Sequence, residues 1–145
     1  LFKEQKNRGV ALLPAWSHRY FPRPPPPLKG KRPVARVKNY TAASGYVYEY
    51  TYEGYREDAL ARTHVFRVSS DRASWFDLEV RVPFASLEAW ERLHDRSLNE
   101  AERYAAAKLS LFAAFDERDG PAALRAGPVE VDAARAAAVL DSLGL

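Results

Sequence analysis

The stretch Tyr46-Val47-Tyr48-Glu49-Tyr50-Thr51-Tyr52 carries a tyrosine at every second position. Side chains of a β-strand alternate between its two faces, so this spacing predicts a strand with all four phenols on one face and Val47, Glu49 and Thr51 on the other. Tyrosine itself favours strands. Two uses compete for such a face. The rings can stack on single-stranded RNA, as aromatics on the sheets of RNA-binding modules do, or they can form a floor for helices, with the hydroxyls reaching the rim. The glycine and aromatic signature of an RNA-recognition motif is missing, and the order of elements is wrong for one. The structural use is therefore the expectation, with Tyr46, Tyr48, Tyr50 and Tyr52 buried.

Outward from that strand the pattern stays that of a sheet. Upstream, Val34 to Tyr40 reads as a first strand, ended by the loop Thr41-Ala42-Ala43-Ser44-Gly45, where glycine supplies the left-handed conformation of a tight return. Downstream, Glu53-Gly54 reads as the close of the tyrosine strand, and Tyr55 to Ala61 as a loop with a helical turn. Arg62 to Ser69 is a third strand, with His64, Phe66 and Val68 on one face and Thr63, Val65 and Arg67 on the other. After the turn formers Ser69-Ser70-Asp71-Arg72, Ser74 to Val82 alternates most cleanly of all: Phe76, Leu78, Val80 and Val82 against Asp77, Glu79 and Arg81. Four strands joined by short loops imply an antiparallel meander with one wet face.

Pro83 ends the strands, and the remainder reads as helical. Ser86 is a candidate cap for a short helix to about Arg92, with Leu87, Trp90 and Leu93 inward. Ser97-Leu98-Asn99-Glu100 has the spacing of a capping box and opens the longest helix, Leu98 to Glu117, whose stripe is Leu98, Ala101, Ala105, Leu109, Phe112 and Phe115. Gly120-Pro121 stops it. Val129-Glu130-Val131 reads as a brief strand, and Asp132 as the cap of a last helix with Val139, Leu140 and Leu143. The fold class is α+β: about four antiparallel strands with two to three C-terminal helices on one face, occupying residues 34–145.

The first 33 residues differ in kind. The 145-residue chain has a formal charge of +3, 47% hydrophobic and 12% aromatic content, enough for one packed domain. Through Lys38 there are ten Lys and Arg against the single acid Glu4, a net +9, which leaves −6 for the remainder. Such asymmetry marks a basic arm on a separate folded body. Within it, Pro22-Arg23-Pro24-Pro25-Pro26-Pro27 imposes an extended polyproline conformation of roughly 3 Å per residue. Trp16, Tyr20 and Phe21 are large aromatics beside that stiff run. The predicted partner-binding residues are Lys3, Lys6, Arg8, Trp16, Arg19, Tyr20, Phe21, Arg23, Lys29, Lys31 and Arg32. Their cations suit an acidic protein surface or nucleic-acid phosphates, and the aromatics suit pockets or bases.

Several chemistries are disfavoured. No cysteine is present, which removes disulfides, thiolate metal sites and thiol nucleophiles. His18, His64 and His94 fall in three different elements without metal-ligand spacing, and His64 reads as a core histidine. No P-loop, nucleophile elbow or dinucleotide fingerprint occurs. Arg103 and Lys108 on the long helix could meet an anion, although a solvated face accounts for them. No apolar run approaches the ~18 residues of a membrane span. The chain starts at Leu1 and holds no methionine, which reads as a chain whose original beginning is missing. The expectation is a cytoplasmic, non-catalytic accessory or assembly subunit of a larger complex, without cofactor or metal, that docks through the arm. The alternative is a nucleic-acid-binding protein that uses the same arm.

Overall fold

The computed structural model describes residues 27–31 and 36–145. Nine elements follow in order: β1 (Lys38–Thr41), β2 (Val47–Glu57), β3 (Ala61–Ser69), β4 (Phe76–Pro83), α1 (Phe84–His94), α2 (Glu100–Glu117), α3 (Gly120–Leu124), β5 (Val129–Glu130) and α4 (Ala133–Asp141). The strands lie in the order β1-β2-β3-β4-β5. The first four pair antiparallel, as the alternation predicts, but β5 pairs parallel to β4, with Val80 opposite Val129 and Arg81 opposite Glu130. The sheet is therefore five-stranded and mixed rather than a pure meander. A two-residue strand carries too little pattern to reveal its direction, which here follows from three helices intervening before the chain returns.

The inner face is built by the expected alternation. Tyr48 and Tyr50 of β2, Phe66 and Val68 of β3, and Leu78, Val80 and Val82 of β4 are buried in one contiguous cluster with Leu87 and Trp90 of α1, Leu111 and Phe115 of α2, Leu124 of α3 and Leu140 of α4. The tyrosines are floor, not a stacking platform: Tyr48 stacks on Phe115 with centroids 4.7 Å apart, and Tyr50 meets the edge of Phe112 at 5.7 Å. Tyr52 is half-buried against the edge of this cluster, and Tyr46 departs furthest from the expected burial. It precedes the strand and is 44% exposed, with its ring stacked on Tyr48 at 6.0 Å and lying beside Gly120 of α3.

The tyrosine strand does not close at Glu53-Gly54. Register between β2 and β3 slips there, with Tyr52 opposite Phe66 and Gly54 opposite Val65, so one extra residue forms a β-bulge and pairing continues to Glu57 opposite Arg62. Gly54 sits at φ 115°, a conformation that favours glycine. The segment read as a loop with a helical turn is instead the end of β2 and a tight hairpin at Asp58, whose Oδ1 accepts the Leu60 and Ala61 amides at 2.7 and 2.9 Å. These bonds hold the Asp58 carboxyl below its ordinary pKa.

The helices also adjust the expected boundaries. α1 starts directly after Pro83 without a side-chain cap, Ser86 is buried inside it, and Leu93 is 81% exposed rather than inward. The capping box exists two residues later than Ser97: Asn99 Oδ1 accepts the Glu102 amide at 2.8 Å, and the Asn99 amide donates to Glu102 Oε1 at 3.0 Å. The buried arc of α2 is Ala106, Ala107, Ser110, Leu111, Ala114 and Phe115, one residue around from the expected stripe. Leu109 and Phe112 pack at its border, and Ala101 is exposed. α4 packs on both α1 and α2, so α2 meets a helix as well as the sheet, and close helix approach favours the small side chains of Ala106, Ala107 and Ser110. Gly120-Pro121 begins α3 rather than merely ending α2. Asp132 caps α4 as expected, accepting the Arg135 amide at 2.8 Å.

Candidate functional site

Of the predicted partner-binding residues, Lys3, Lys6, Arg8, Trp16, Arg19, Tyr20, Phe21, Arg23 and Arg32 lie outside the described residues, as do Val34 and Ala35 of the expected first strand. Lys29 and Lys31 are described, and both sit at the edge of β2. Lys29 and Tyr55 exchange both backbone hydrogen bonds at 2.8 Å. Lys31 Nζ bonds Glu53 Oε1 at 3.2 Å, and Thr51 Oγ1 donates to Glu53 Oε2 at 2.9 Å. The bulge residue Glu53 thus meets the arm's cation, and Gly54 leaves room for its backbone: a Cβ there would stand 2.5 Å from Lys29 O. Segment 27–31 is joined to the sheet edge rather than hanging clear of it.

The same bulge creates a groove that sequence spacing hides. In an unbroken strand Tyr52 and Tyr55, three residues apart, would lie on opposite faces. The extra residue restores Tyr55 to the inner face opposite His64. Around His64 the chain gathers Gly30, Tyr52, Tyr55, Arg62, Glu100, Ala101 and Tyr104, lining a cavity of about 270 Å³. Arg62 and His64 share a face of β3 by ordinary alternation, and Glu100 and Tyr104, four apart, share a face of the first turns of α2.

The polar groups of this groove answer one another. Arg62 Nε donates to Glu57 Oε2 at 2.8 Å and its Nη1 to Glu100 Oε1 at 2.7 Å, while the guanidinium carbon lies 3.9 Å above the Tyr55 ring. Burial works against the guanidinium charge, but the bonds to Glu100 and Glu57 outweigh it and raise the pKa. The bond from Arg62 holds the Glu100 carboxyl below its ordinary value. His64 is 2% exposed, and burial, aided by the nearby Arg62 charge, pushes its pKa down to about 4, so the ring is neutral at pH 7. Tyr52 Oη and His64 Nδ1 are 2.8 Å apart. Burial, with Tyr104 beside it, raises the Tyr52 hydroxyl pKa, so that hydroxyl keeps its proton, and the imidazole tautomer sets which of the two groups donates.

Compared with family models, curated proteins and solved structures, the chain matches none of them. Site chemistry must accordingly be read from the residues themselves. The groove holds a neutral imidazole, protonated phenols and a carboxylate already committed to an arginine, an arrangement suited to holding a molecule by contact and hydrogen bonding. Elsewhere, Arg103 pairs with Glu91 at 3.6 Å, so the helix edge that could have met an anion has its own carboxylate. Among the described residues no group of three His, Asp or Glu could hold a metal ion, and no helix is long and apolar enough to cross a membrane. The expected core character of His64 agrees with its burial. Tyr55, Arg62, Glu100 and Tyr104 escaped sequence reasoning because only the bulge brings their elements into one place; the Glu53-Gly54 pair was its one visible sign.

Proposed function

We propose that this protein is a non-catalytic accessory or assembly subunit that docks on the acidic surface of a larger protein through its basic, aromatic N-terminal arm. The observation that carries the reading is the paired root of the arm: Lys29 exchanges two backbone bonds with Tyr55, and Lys31 is held by Glu53. A docking segment whose base is already ordered loses less conformational entropy on binding than a free tail of the same length. The net +9 charge through Lys38 set against −6 in the rest gives the arm a sign that an acidic partner would steer toward, at a rate that falls with salt. Mutual pairing of Arg62, Glu57 and Glu100, and the neutral state of His64, favour a binding role over a chemical one.

Truncation before Pro27 tests this, because it removes the arm as far as its root, with all of its aromatics, and keeps the Lys29 pairing. The expected result is a body that still melts cooperatively but no longer retains the partner that the full chain recovers from extracts of its native cells. Retention of the same partner by the truncated chain would overturn the reading. Binding of the full chain to single- or double-stranded oligonucleotides, with an affinity that falls steeply and linearly in log salt, would move the arm's target to nucleic acid.

A further inference from the structure

We propose that the groove over His64 binds a small, planar, uncharged molecule that presents one strong hydrogen-bond acceptor, a carbonyl oxygen or a ring nitrogen, to His64 Nε2. The imidazole sets the recognition. Tyr52 Oη lies 2.8 Å from Nδ1, and in the tautomer this proposal assigns, the hydroxyl donates to Nδ1 and the ring proton resides on Nε2. No described protein group bonds that nitrogen. Nor is it sealed, because the one buried side-chain polar atom without a partner among the described residues is Tyr48 Oη. In that tautomer Nε2–H is a donor with no partner among the described residues, on an otherwise almost wholly buried side chain set in the wall of the groove. A donor so placed is costly unless a guest or ordered water accepts from it.

Size and charge narrow the guest. About 270 Å³ between the rings of Tyr52, Tyr55 and Tyr104 accommodates one or two rings, and aromatic walls favour a planar guest. The wall at Gly30 is tight, since even a Cβ there would come within 3.0 Å of the Tyr55 ring. Among the described residues lining the groove an anion finds no uncommitted cation, because Arg62 is shared between Glu57 and Glu100. A cation would have to stand beside the Arg62 guanidinium that already covers Tyr55. An uncharged acceptor avoids both costs. This proposal does not depend on which partner the arm takes, although Gly30 of the arm's root forms part of the wall.

Benzamide and benzoate, one ring with an uncharged and an anionic acceptor, are the probes, read by ¹⁵N-resolved NMR of the full chain. Benzamide is expected to bind saturably in the millimolar range, moving the His64 Nε2–H signal together with the amides of Tyr55 and Ala101. Benzoate should bind about tenfold more weakly. His64→Phe, which removes the donor, and Ala101→Leu, which fills the groove from an exposed helix position, should each weaken benzamide at least about fivefold. Absence of a saturable shift up to the solubility of benzamide overturns the proposal, as does equal binding of benzamide by the native chain and Ala101→Leu. Should His64→Phe fail to fold, the probe pair on the native chain and the Ala101 variant decide the matter: benzoate binding as tightly as benzamide counts against it.

Discussion

Tyr40 Oη donates a 2.6 Å hydrogen bond to Asp116 Oδ2 and so ties the edge strand β1 to the last turn of α2. The other carboxylate oxygen accepts the Ala43 amide at 2.8 Å, which makes one aspartate the fastening for both the strand and the loop after it. The Tyr40 ring completes the link by stacking on Phe112 at 4.4 Å. Because Asp116 is exposed, each bond is discounted by solvent. Tyr40→Phe should cost about 0.5–1 kcal/mol and Asp116→Ala about 1–2 kcal/mol, with the double variant costing less than their sum. Denaturant unfolding of the four chains measures it, and strict additivity would mean that the two groups do not interact.

Helix α2 should respond to Asn99 and not to Ser97. Asn99→Ala removes the oxygen that accepts the Glu102 amide and should destabilise by about 1 kcal/mol. Ser97→Ala, at an exposed position before the cap, should change stability by less than about 0.5 kcal/mol. The reverse order in thermal melts would restore the serine as the cap.

Gly54 is the position where a single methyl group should separate the arm's root from the sheet. Gly54→Ala sets a Cβ 2.5 Å from Lys29 O and 2.9 Å from Leu28 Cβ at a φ of 115°, so strain and collision add, and a loss of about 2–4 kcal/mol is expected. Gly45→Ala, also at positive φ but with open space around it, should cost only about 1 kcal/mol. Hydrogen exchange at the Lys29 and Tyr55 amides distinguishes the two: protection should vanish in the first variant and persist in the second.

His64 should make the fold sensitive to mild acid. Burial, then Arg62, depresses its pKa from 6.5 to about 4, so between those values the unfolded chain takes up a proton that the folded chain refuses. The stabilising contribution is complete above pH 6.5 and is lost as pH falls toward 4. Between pH 7 and 4.5 it amounts to about 2–3 kcal/mol. His64→Gln should start less stable at pH 7 but show a correspondingly flatter decline over that window, and an identical decline in both chains would contradict a neutral buried imidazole.

Tyr48 carries a hydroxyl that is buried without a partner among the described residues, while its ring packs fully against Phe115. Tyr48→Phe keeps the ring and removes the unpaired oxygen, so stability should be unchanged or rise by up to about 1 kcal/mol. A loss above about 1 kcal/mol would reveal a bonded water or side chain at that oxygen.

Much of the sheet was legible because β4 buries one face and wets the other, so Leu78, Val80 and Val82 announce themselves by period two, and Phe66 and Val68 of β3 follow the same period although Ala61, Val65 and Ser69 on the opposite face of β3 are buried as well. β2 was legible only as far as Tyr52. A glutamate followed by glycine has the chemistry of a turn, and a bulge uses the same glycine conformation without turning the chain. For α2, Ser97/Glu100 and Asn99/Glu102 have identical spacing, and local sequence does not rank them; the position of Leu98, buried just before the helix with its amide bonded to Glu91 Oε2 at 2.7 Å, does. The buried alanines of α2, Ala106, Ala107 and Ala114, gave no hydrophobic signal of their own. The groove was illegible because it depends on register, and register is a property of two strands at once.

The Lys29–Tyr55 pair also fixes an origin. Leu1 to Pro26 make 26 residues, which span at most about 90 Å when fully extended. A partner held by these residues would be confined to a bounded volume around one sheet edge, with an effective concentration set by the tether and not by the bulk solution. Gly30, one residue beyond the pair, belongs to the groove wall. A guest in the groove and a partner on the arm would therefore share a single joint, and a change in how that joint is paired would be felt at both.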